Sequence, residues 1–509
     1  MTPQTHLSVS SRAGKMTIIA MGLGFALTGG DPLILSINLT AFREGLALSG
    51  SQAVFLAGLA TLTLAAGILG TCTLGDILGK RRLYIIGLTA TILLGVASVM
   101  TAGFVFLAVA RGLLGLAFAL VLGLSLAIIG ELFPANERAR AISLFLAVAY
   151  AAAAPMALIG SLLVDALSWR WGLAVAPGYA VIALLITLRY VPETPRSVRR
   201  LDVFGMVTAG TGLVLILYGV SGLSSGFGLA EGLALGGGAA ILLGFVLWEA
   251  RSDQPALDIR LFASRPFTAA VVGGLAFNFC VGSGSVLLGY YASLVRGWPT
   301  AAIGWLILAA VVVQAAAAAA AGSLSRSLGQ RLVMIIGLAL LVLASLSWLL
   351  NGPESAIAFI FLVPLLGTVG NAFVETQQSA IMLSHAPRGL AGSVAAVKSG
   401  TGQAAYSLGP VVATLLVSYF YVRFGAERIG AADLTPAQVR EALRVAHGGV
   451  GHSGASPPLD PRLVEKIVHG AKEVFTDAIH ANALITAAVP LVAAILVLML
   501  MRSDRPKRQ

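Results

Sequence analysis

Four ionisable residues interrupt long apolar runs of this chain: Asp31, Arg111, Glu375 and Lys398. A charge at the centre of a bilayer costs about 2.5–3.5 kcal/mol on insertion scales, so each is a functional candidate by default. Their formal charges sum to zero. A carboxylate removed from water holds its proton more tightly, which suits reversible protonation. An arginine cannot deprotonate, so Arg111 would serve as a fixed counter-charge or gate. Asp31 follows Gly29-Gly30 and precedes Pro32, where helix irregularity is easy. Proton or substrate coupling there competes with a structural ion pair or a capping role. Thr368, Asn371, Glu375 and Gln378 are spaced by three, four and three, which places them on one helical stripe. Such a stripe inside a spanning helix must face water or protein. Glu375 therefore reads as a coupling or binding residue, against a buried pair with Lys398, which is followed by Thr401 and Gln403. Lys398 could equally snorkel to an interface. Asn278, Ser283, Ser285, Tyr290 and Tyr291 are further candidate cavity groups.

These side chains need a membrane scaffold. The 509 residues include only 33 basic and 22 acidic ones and are 58% hydrophobic, which excludes a soluble enzyme or a nucleic-acid reader. Apolar stretches of spanning length occur at about 17–42, 52–75, 83–101, 104–130, 140–164, 172–190, 203–222, 228–249, 267–293, 302–323, 332–350, 356–382, 392–422 and 480–501, fourteen in all. The polar first sixteen residues, with no small-residue cleavage site after the first apolar run, read as the lead-in to an uncleaved anchor. Basic residues are unequally divided between alternate loops. Twenty-one fall on the side of the two termini, whereas the opposite side has Arg43, Arg170 and Arg296 in short loops and seven more in one long segment. The excess predicts that both termini are cytoplasmic in a multi-pass cell (inner or plasma) membrane protein. The net charge of +11 is thus a topology signal, and no nucleic-acid partner is expected.

Fifty-nine glycines and the alanine run Ala315–Ala321 predict close helix packing through small residues, with a dimer face as the lesser reading, so a monomer is expected. Cys72 and Cys280 lie in apolar runs and imply no disulfide framework. No phosphate-binding loop of the Gly-x4-Gly-Lys-Ser/Thr type occurs, and neither cofactor nor metal is expected. The segment 424–479 is the one place where a soluble subdomain could form. Thr435-Pro436-Ala437-Gln438 reads as a helix start and Gly448 as its stop. A second amphipathic stretch from Asp460-Pro461 sets Leu463, Val464, Ile467, Ala471, Val474 and Phe475 on one face. Two short external helices are predicted there, and the four histidines of this region lack metal-ligand spacing.

Displacing the chain by 250 residues superposes two loops, Cys72 to Arg81 and Gly322 to Arg331. Gly79 meets Gly329, Arg81 meets Arg331, and Ile85-Ile86-Gly87-Leu88 meets Ile335-Ile336-Gly337-Leu338. The first loop follows the second span and the other follows the tenth, as a six-plus-six duplication with two inserted helices requires.

The loop of Gly75, Asp76, Gly79, Lys80 and Arg81 resembles the signature of the Major Facilitator Superfamily. Cys72 replaces its leading glycine and Ile77 a basic residue. Arg111 with Gly115 is similar to that family's fourth-helix pattern, with Leu114 in place of glutamine. Asp31 in the first span, Pro155 and Gly160 with Trp169-Arg170-Trp171, and Trp248-Glu249-Ala250-Arg251 resemble motifs of its fourteen-helix drug:proton antiporter branch. The resemblance implies an all-α integral membrane protein of 6+2+6 helices in two pseudo-symmetric bundles. The expected divisions are 1–190, an inserted pair at 191–266, and 267–509 with the external segment. It further implies a conformational latch formed by Asp76, Gly79, Lys80 and Arg81.

The function expected is secondary active transport: proton-coupled efflux of amphipathic small molecules or drugs, with antibiotic resistance as its consequence. Asp31 and Glu375 would carry the proton. Arg111, Asn278, Thr368, Asn371, Gln378 and Lys398 would contact substrate. A uniporter or symporter of an anionic metabolite is the alternative, because Arg111 and Lys398 are cationic. A polytopic membrane enzyme or lipid-handling protein is remote, for want of any nucleophile–base or metal cluster.

Overall fold

The computed structural model describes residues 7–101, 103–194, 202–223, 228–252, 259–385, 391–428 and 461–501. Every extended element among them is helical, as backbone placed in hydrocarbon demands, because each N–H and C=O must find its partner within the segment. Among the described residues, fourteen helical spans are long and apolar enough to cross a membrane. They are α1 (Arg12–Ile37), α2 (Gly50–Leu78), α3 (Lys80–Val99), α4 (Phe104–Leu132), α5 (Ala135–Ala166), α6 (Val175–Tyr190), α7 (Val203–Gly222), α8 (Leu229–Glu249), α9 (Arg265–Tyr290), α10 (Thr300–Leu328), α11 (Gln330–Leu346), α12 (Ile357–Ser384), α13 (Ala391–Arg428) and α14 (Pro461–Leu500). Helix α1 ends at Asn38, whose side chain donates to the Ile34 carbonyl at 2.8 Å, and a separate short helix Leu39–Gly45 follows. The apolar run thus bends where the sequence reads as one span.

Helices α1–α6 pack as one bundle and α9–α14 as the other. Their duplication is visible in matching backbone geometry. Gly79 joins α2 to α3 with φ 100°, and Gly329 joins α10 to α11 with φ 83°, values that a side chain at either position would resist. Arg81 Nη2 donates to the Leu188 carbonyl of α6 at 2.9 Å, and Arg331 Nη2 to the Leu498 carbonyl of α14 at 2.8 Å. Each arginine thereby satisfies a carbonyl in the last turn of its bundle's final helix, which has no intrahelical partner.

The inserted pair α7–α8 packs on itself through small residues. A Cβ on Gly212 would meet Leu242, and one on Gly219 would meet Leu235. Its outer contact is with the seam between the bundles, where Leu217 of α7 packs with Leu59 and Leu62 of α2 and with Val411 of α13.

The amphipathic stretch at 461–475 departs from expectation. It is not a separate external helix but the first part of α14, which runs unbroken to Leu500. Ala471, Val474 and Phe475 are buried, and Phe475 stacks edge-on against Tyr290 and Tyr421. The described part of its apolar face, around Val474 and Phe475, is therefore covered by α9 and α13, and no breaker separates the stretch from the span that follows. The other predicted external helix, at 435–448, lies outside the described residues.

Candidate functional site

A cavity of about 420 Å³ lies between the bundles. The first bundle contributes Phe25, Thr28, Gly29 and Leu33 of α1 and Tyr150, Ala153 and Ala154 of α5. The second contributes more of the wall, including Phe277, Asn278 and Cys280 of α9, Gln314 of α10, Thr368, Asn371 and Glu375 of α12, and Gln403 and Tyr406 of α13. Trp348 and Thr486 complete it. The walls are apolar and aromatic with a few polar atoms, a composition that suits ligands by shape and hydrophobicity first. Glu375 is the single charged side chain in this lining among the described residues.

The Glu375 carboxylate is held from both bundles. The Tyr150 hydroxyl donates to Oε1 at 3.0 Å and Oε2 at 3.2 Å. Lys398 Nζ stands 3.7 Å from Oε1 and donates to Ser379 Oγ at 2.7 Å, so its shorter bond is to the hydroxyl one turn along α12. Lys398 does not line the cavity.

The other two mid-span charges find each other. Arg111 Nη1 donates to Asp31 Oδ1 at 3.1 Å, and Nη2 lies 2.6 Å from Oδ2. With exposures of 1% and 3%, this pair is closed to water. Helical geometry explains why neither faces the cavity. Phe25, Thr28, Gly29 and Leu33 share one face of α1, and Asp31 projects from the other toward α4. Asp31 also sits within two turns of the α1 terminus, not at mid-helix.

The α12 stripe divides in a similar way. Thr368, Asn371 and Glu375 line the cavity, whereas Gln378 is 1% exposed and packs at Gly274 of α9. Asn278, Ser283 and Ser285 line it; Tyr290 instead bonds Thr414 at 3.2 Å and Tyr291 donates to the Gly352 carbonyl at 2.6 Å. At the helix ends near the N-terminus, Lys80 Nζ bridges Asp76 and Glu131, each at 2.7 Å, and the Arg81 backbone N–H donates to Glu193 at 3.0 Å. Gly79 supplies the turn. No group of three or more potential metal ligands occurs among the described residues.

Sequence reasoning missed Tyr150. It is flanked by Ala149 and Ala151–Ala154, and a lone tyrosine in an alanine run is a signal that a polar tip has a partner. Gln314, next to the seven alanines, gives the same signal.

The Major Facilitator Superfamily model matches residues 16–410. The multidrug resistance protein Stp of Mycobacterium tuberculosis is 28% identical over 76% of this chain and 73% of its own length. The multidrug efflux pump LfrA of Mycolicibacterium smegmatis is 25% identical over 97% of each chain, and the tetracenomycin C resistance and export protein of Streptomyces glaucescens 25% over 99% of this chain and 95% of its own. Among solved structures, a bacterial homologue of the human lysosomal transporter Spinster, inward-facing and unoccupied, has a TM-score of 0.65 at 16% identity, covering 97% of this chain and 100% of that one. A POT family transporter with 5-aminolevulinic acid has 0.67 at 13%, covering 98% and 99%. With two bundles, an inserted pair, a cavity at their seam and a family match over most of its length, the chain belongs to the Major Facilitator Superfamily and is a transporter, not an enzyme.

Proposed function

We propose that the protein exports lipophilic, amphipathic small molecules by alternating access, favours those bearing a positive charge, and draws on the proton gradient. The observation that carries this reading is the lone carboxylate in an aromatic cavity, Glu375, tied to both bundles. A lipophilic cation gains from the aromatic walls and from the carboxylate, and a proton competes with it for the same oxygens. The names of the relatives, multidrug efflux and tetracenomycin C export, support the direction and the substrate class. Asn278, Thr368 and Asn371 are assigned to substrate contact, since they line the same space.

Proton coupling belongs first to Glu375, which a hydrated cavity can reach. Asp31 is assigned a secondary role: held by Arg111 and 3% exposed, it takes a proton only in a state that opens the α1–α4 contact. Arg111 and Lys398, the cations that favoured an anion carrier, are both engaged by carboxylates and stand outside the lining. Gln378 is reassigned from substrate contact to the α9–α12 interface. Asp76, Gly79, Lys80 and Arg81 are assigned to a latch that acts through the first bundle, where their contacts to Glu131, Leu188 and Glu193 lie. The basic excess supports cytoplasmic termini in a plasma-membrane protein, and the small-residue packing supports a single working chain. A membrane potential of 100 mV would supply about 2.3 kcal/mol per charge moved, roughly a 50-fold gradient.

The test is uptake of a lipophilic cation into proteoliposomes with an imposed pH gradient. Wild-type protein should accumulate it only with the gradient, and Glu375→Gln should abolish the gradient's effect. Gradient-independent accumulation that survives Glu375→Gln would overturn the proposal.

A further inference from the structure

Glu375 is bonded from opposite sides of the molecule. Lys398 reaches it from α13, within the same bundle, at 3.7 Å. Tyr150 reaches it from α5 of the first bundle, its hydroxyl shared between the two carboxylate oxygens at 3.0 and 3.2 Å. The backbone-close approaches between the bundles lie farther from the termini: Gly289 at the Ile37 carbonyl, Gly304 at Leu158 and Gly58 at the Ser407 carbonyl. Glu375 stands in the part of α12 nearer Ser384, so the Tyr150 bond ties the bundles at a depth where those contacts do not reach.

A cation entering this cavity meets a carboxylate whose lone pairs already face a hydroxyl donor and an ammonium group. Whatever takes those oxygens competes with both. Losing the Lys398–Glu375 contact changes packing inside one bundle, where Ser379 still holds the Lys398 ammonium. Losing the Tyr150 hydroxyl removes a tie between the bundles at the depth of Glu375, while the glycine contacts farther from the termini remain.

We propose that Tyr150 is a positioning residue that links occupancy of Glu375 to the contact between the bundles. With the carboxylate vacant, its hydroxyl ties α5 to α12; a substrate cation on the carboxylate displaces the hydroxyl and releases the tie, so the loaded protein rocks more readily than the empty one. This rests on the reading of Glu375 as the cation site. A hydroxyl serving packing alone would make no difference to the response to ligand.

The experiment uses the full chain in proteoliposomes with tetraphenylphosphonium as the probe, comparing wild type, Tyr150→Phe, Glu375→Gln and the double variant. The phenylalanine keeps the ring and removes the donor. Because a hydrogen bond to a charged group no longer competes, the apparent KM of Tyr150→Phe should fall by about tenfold. Its kcat should hold, since the loaded form has shed the tie in either protein. In the Glu375→Gln background the same change should alter neither parameter. An unchanged KM in Tyr150→Phe, or an undiminished effect in the Gln background, would overturn the proposal. If Glu375→Gln binds the probe as tightly as wild type, the cation-site reading fails and takes this one with it. If Glu375→Gln loses binding while Tyr150→Phe is neutral, only the Tyr150 proposal fails. Should Tyr150→Phe not fold, spin labels on α5 and α12 decide in the wild-type protein: saturating probe should lengthen their separation, and an unchanged distance refutes the tie.

Discussion

At the scale of the residue, the four intramembrane charges are two pairs of different character. Asp31 and Arg111 are shut away from water, at 3% and 1% exposure, whereas Glu375 and Lys398 are 28% and 32% exposed beside the cavity. Removing one member of a closed pair strands a charge and costs about 3–5 kcal/mol. Asp31→Asn and Arg111→Gln should therefore each lower the thermal midpoint in detergent substantially. The double variant should lose clearly less than the sum of the two, because no charge is left alone. Additive losses would show that the pair is not a unit. Arg111→Lys should also destabilise, since an ammonium cannot span both carboxylate oxygens as the guanidinium does. The chain's residue types exposed which positions are costly, and the zero charge sum was readable from them. Which charge meets which was not, because Asp31 and Arg111 are eighty residues apart on helices whose rotation about their own axes no spacing rule sets.

At the scale of the element, spans were legible because a bilayer imposes length and apolarity on each one separately. Ends and breaks were less so. Asn38 interrupts a run that composition alone leaves continuous, and α14 begins some twenty residues before its most apolar part because tertiary contacts cover its earlier turns. The repeat supplies an element-scale test. Gly79 and Gly329 hold the same kind of positive-φ turn, and an alanine in either should cost about 1–3 kcal/mol. Gly79→Ala and Gly329→Ala should lower the melting midpoint by similar amounts; a neutral result at one of them would mean that its turn relaxes freely. A second element-scale prediction concerns the start of α10, where Asp165 Oδ2 of the first bundle accepts the Ala301 backbone N–H at 2.7 Å. This carboxylate caps a helix of the opposite bundle, a contact worth about 0.5–2 kcal/mol. Asp165→Ala should therefore favour separation at this end, read as faster labelling of a cysteine introduced at Leu158, while Asp165→Asn, which keeps an acceptor, should do so less. Equal labelling rates in all three proteins would remove the cap from the set of closing contacts.

At the scale of the whole molecule, the two bundles are closed on the side away from the termini by glycines that admit the backbone of a helix of the opposite bundle. A Cβ on Gly289 would lie 2.5 Å from the Ile37 carbonyl oxygen, and one on Gly304 would lie 2.8 Å from the Leu158 Cα. Both obstacles are backbone atoms, which cannot swing aside as a side-chain tip can. A larger residue therefore has to move a whole bundle, and rigid packing converts that local wedge into rotation. Moving a two-state equilibrium from 1:99 to 99:1 takes about 5.5 kcal/mol, and overpacking typically supplies 1–3 kcal/mol, so one wedge should shift the population without locking it. Gly304→Val should accordingly lengthen the distance between spin labels at Glu44 and Glu354, both on the far-side surface in opposite bundles, as measured by double electron–electron resonance. Combining it with Gly289→Val should lengthen it further and slow transport, since the return to the closed form then has two obstacles. An unaltered distance distribution in a folded double variant would mean that the glycines serve helix packing within a state and have no part in choosing between states.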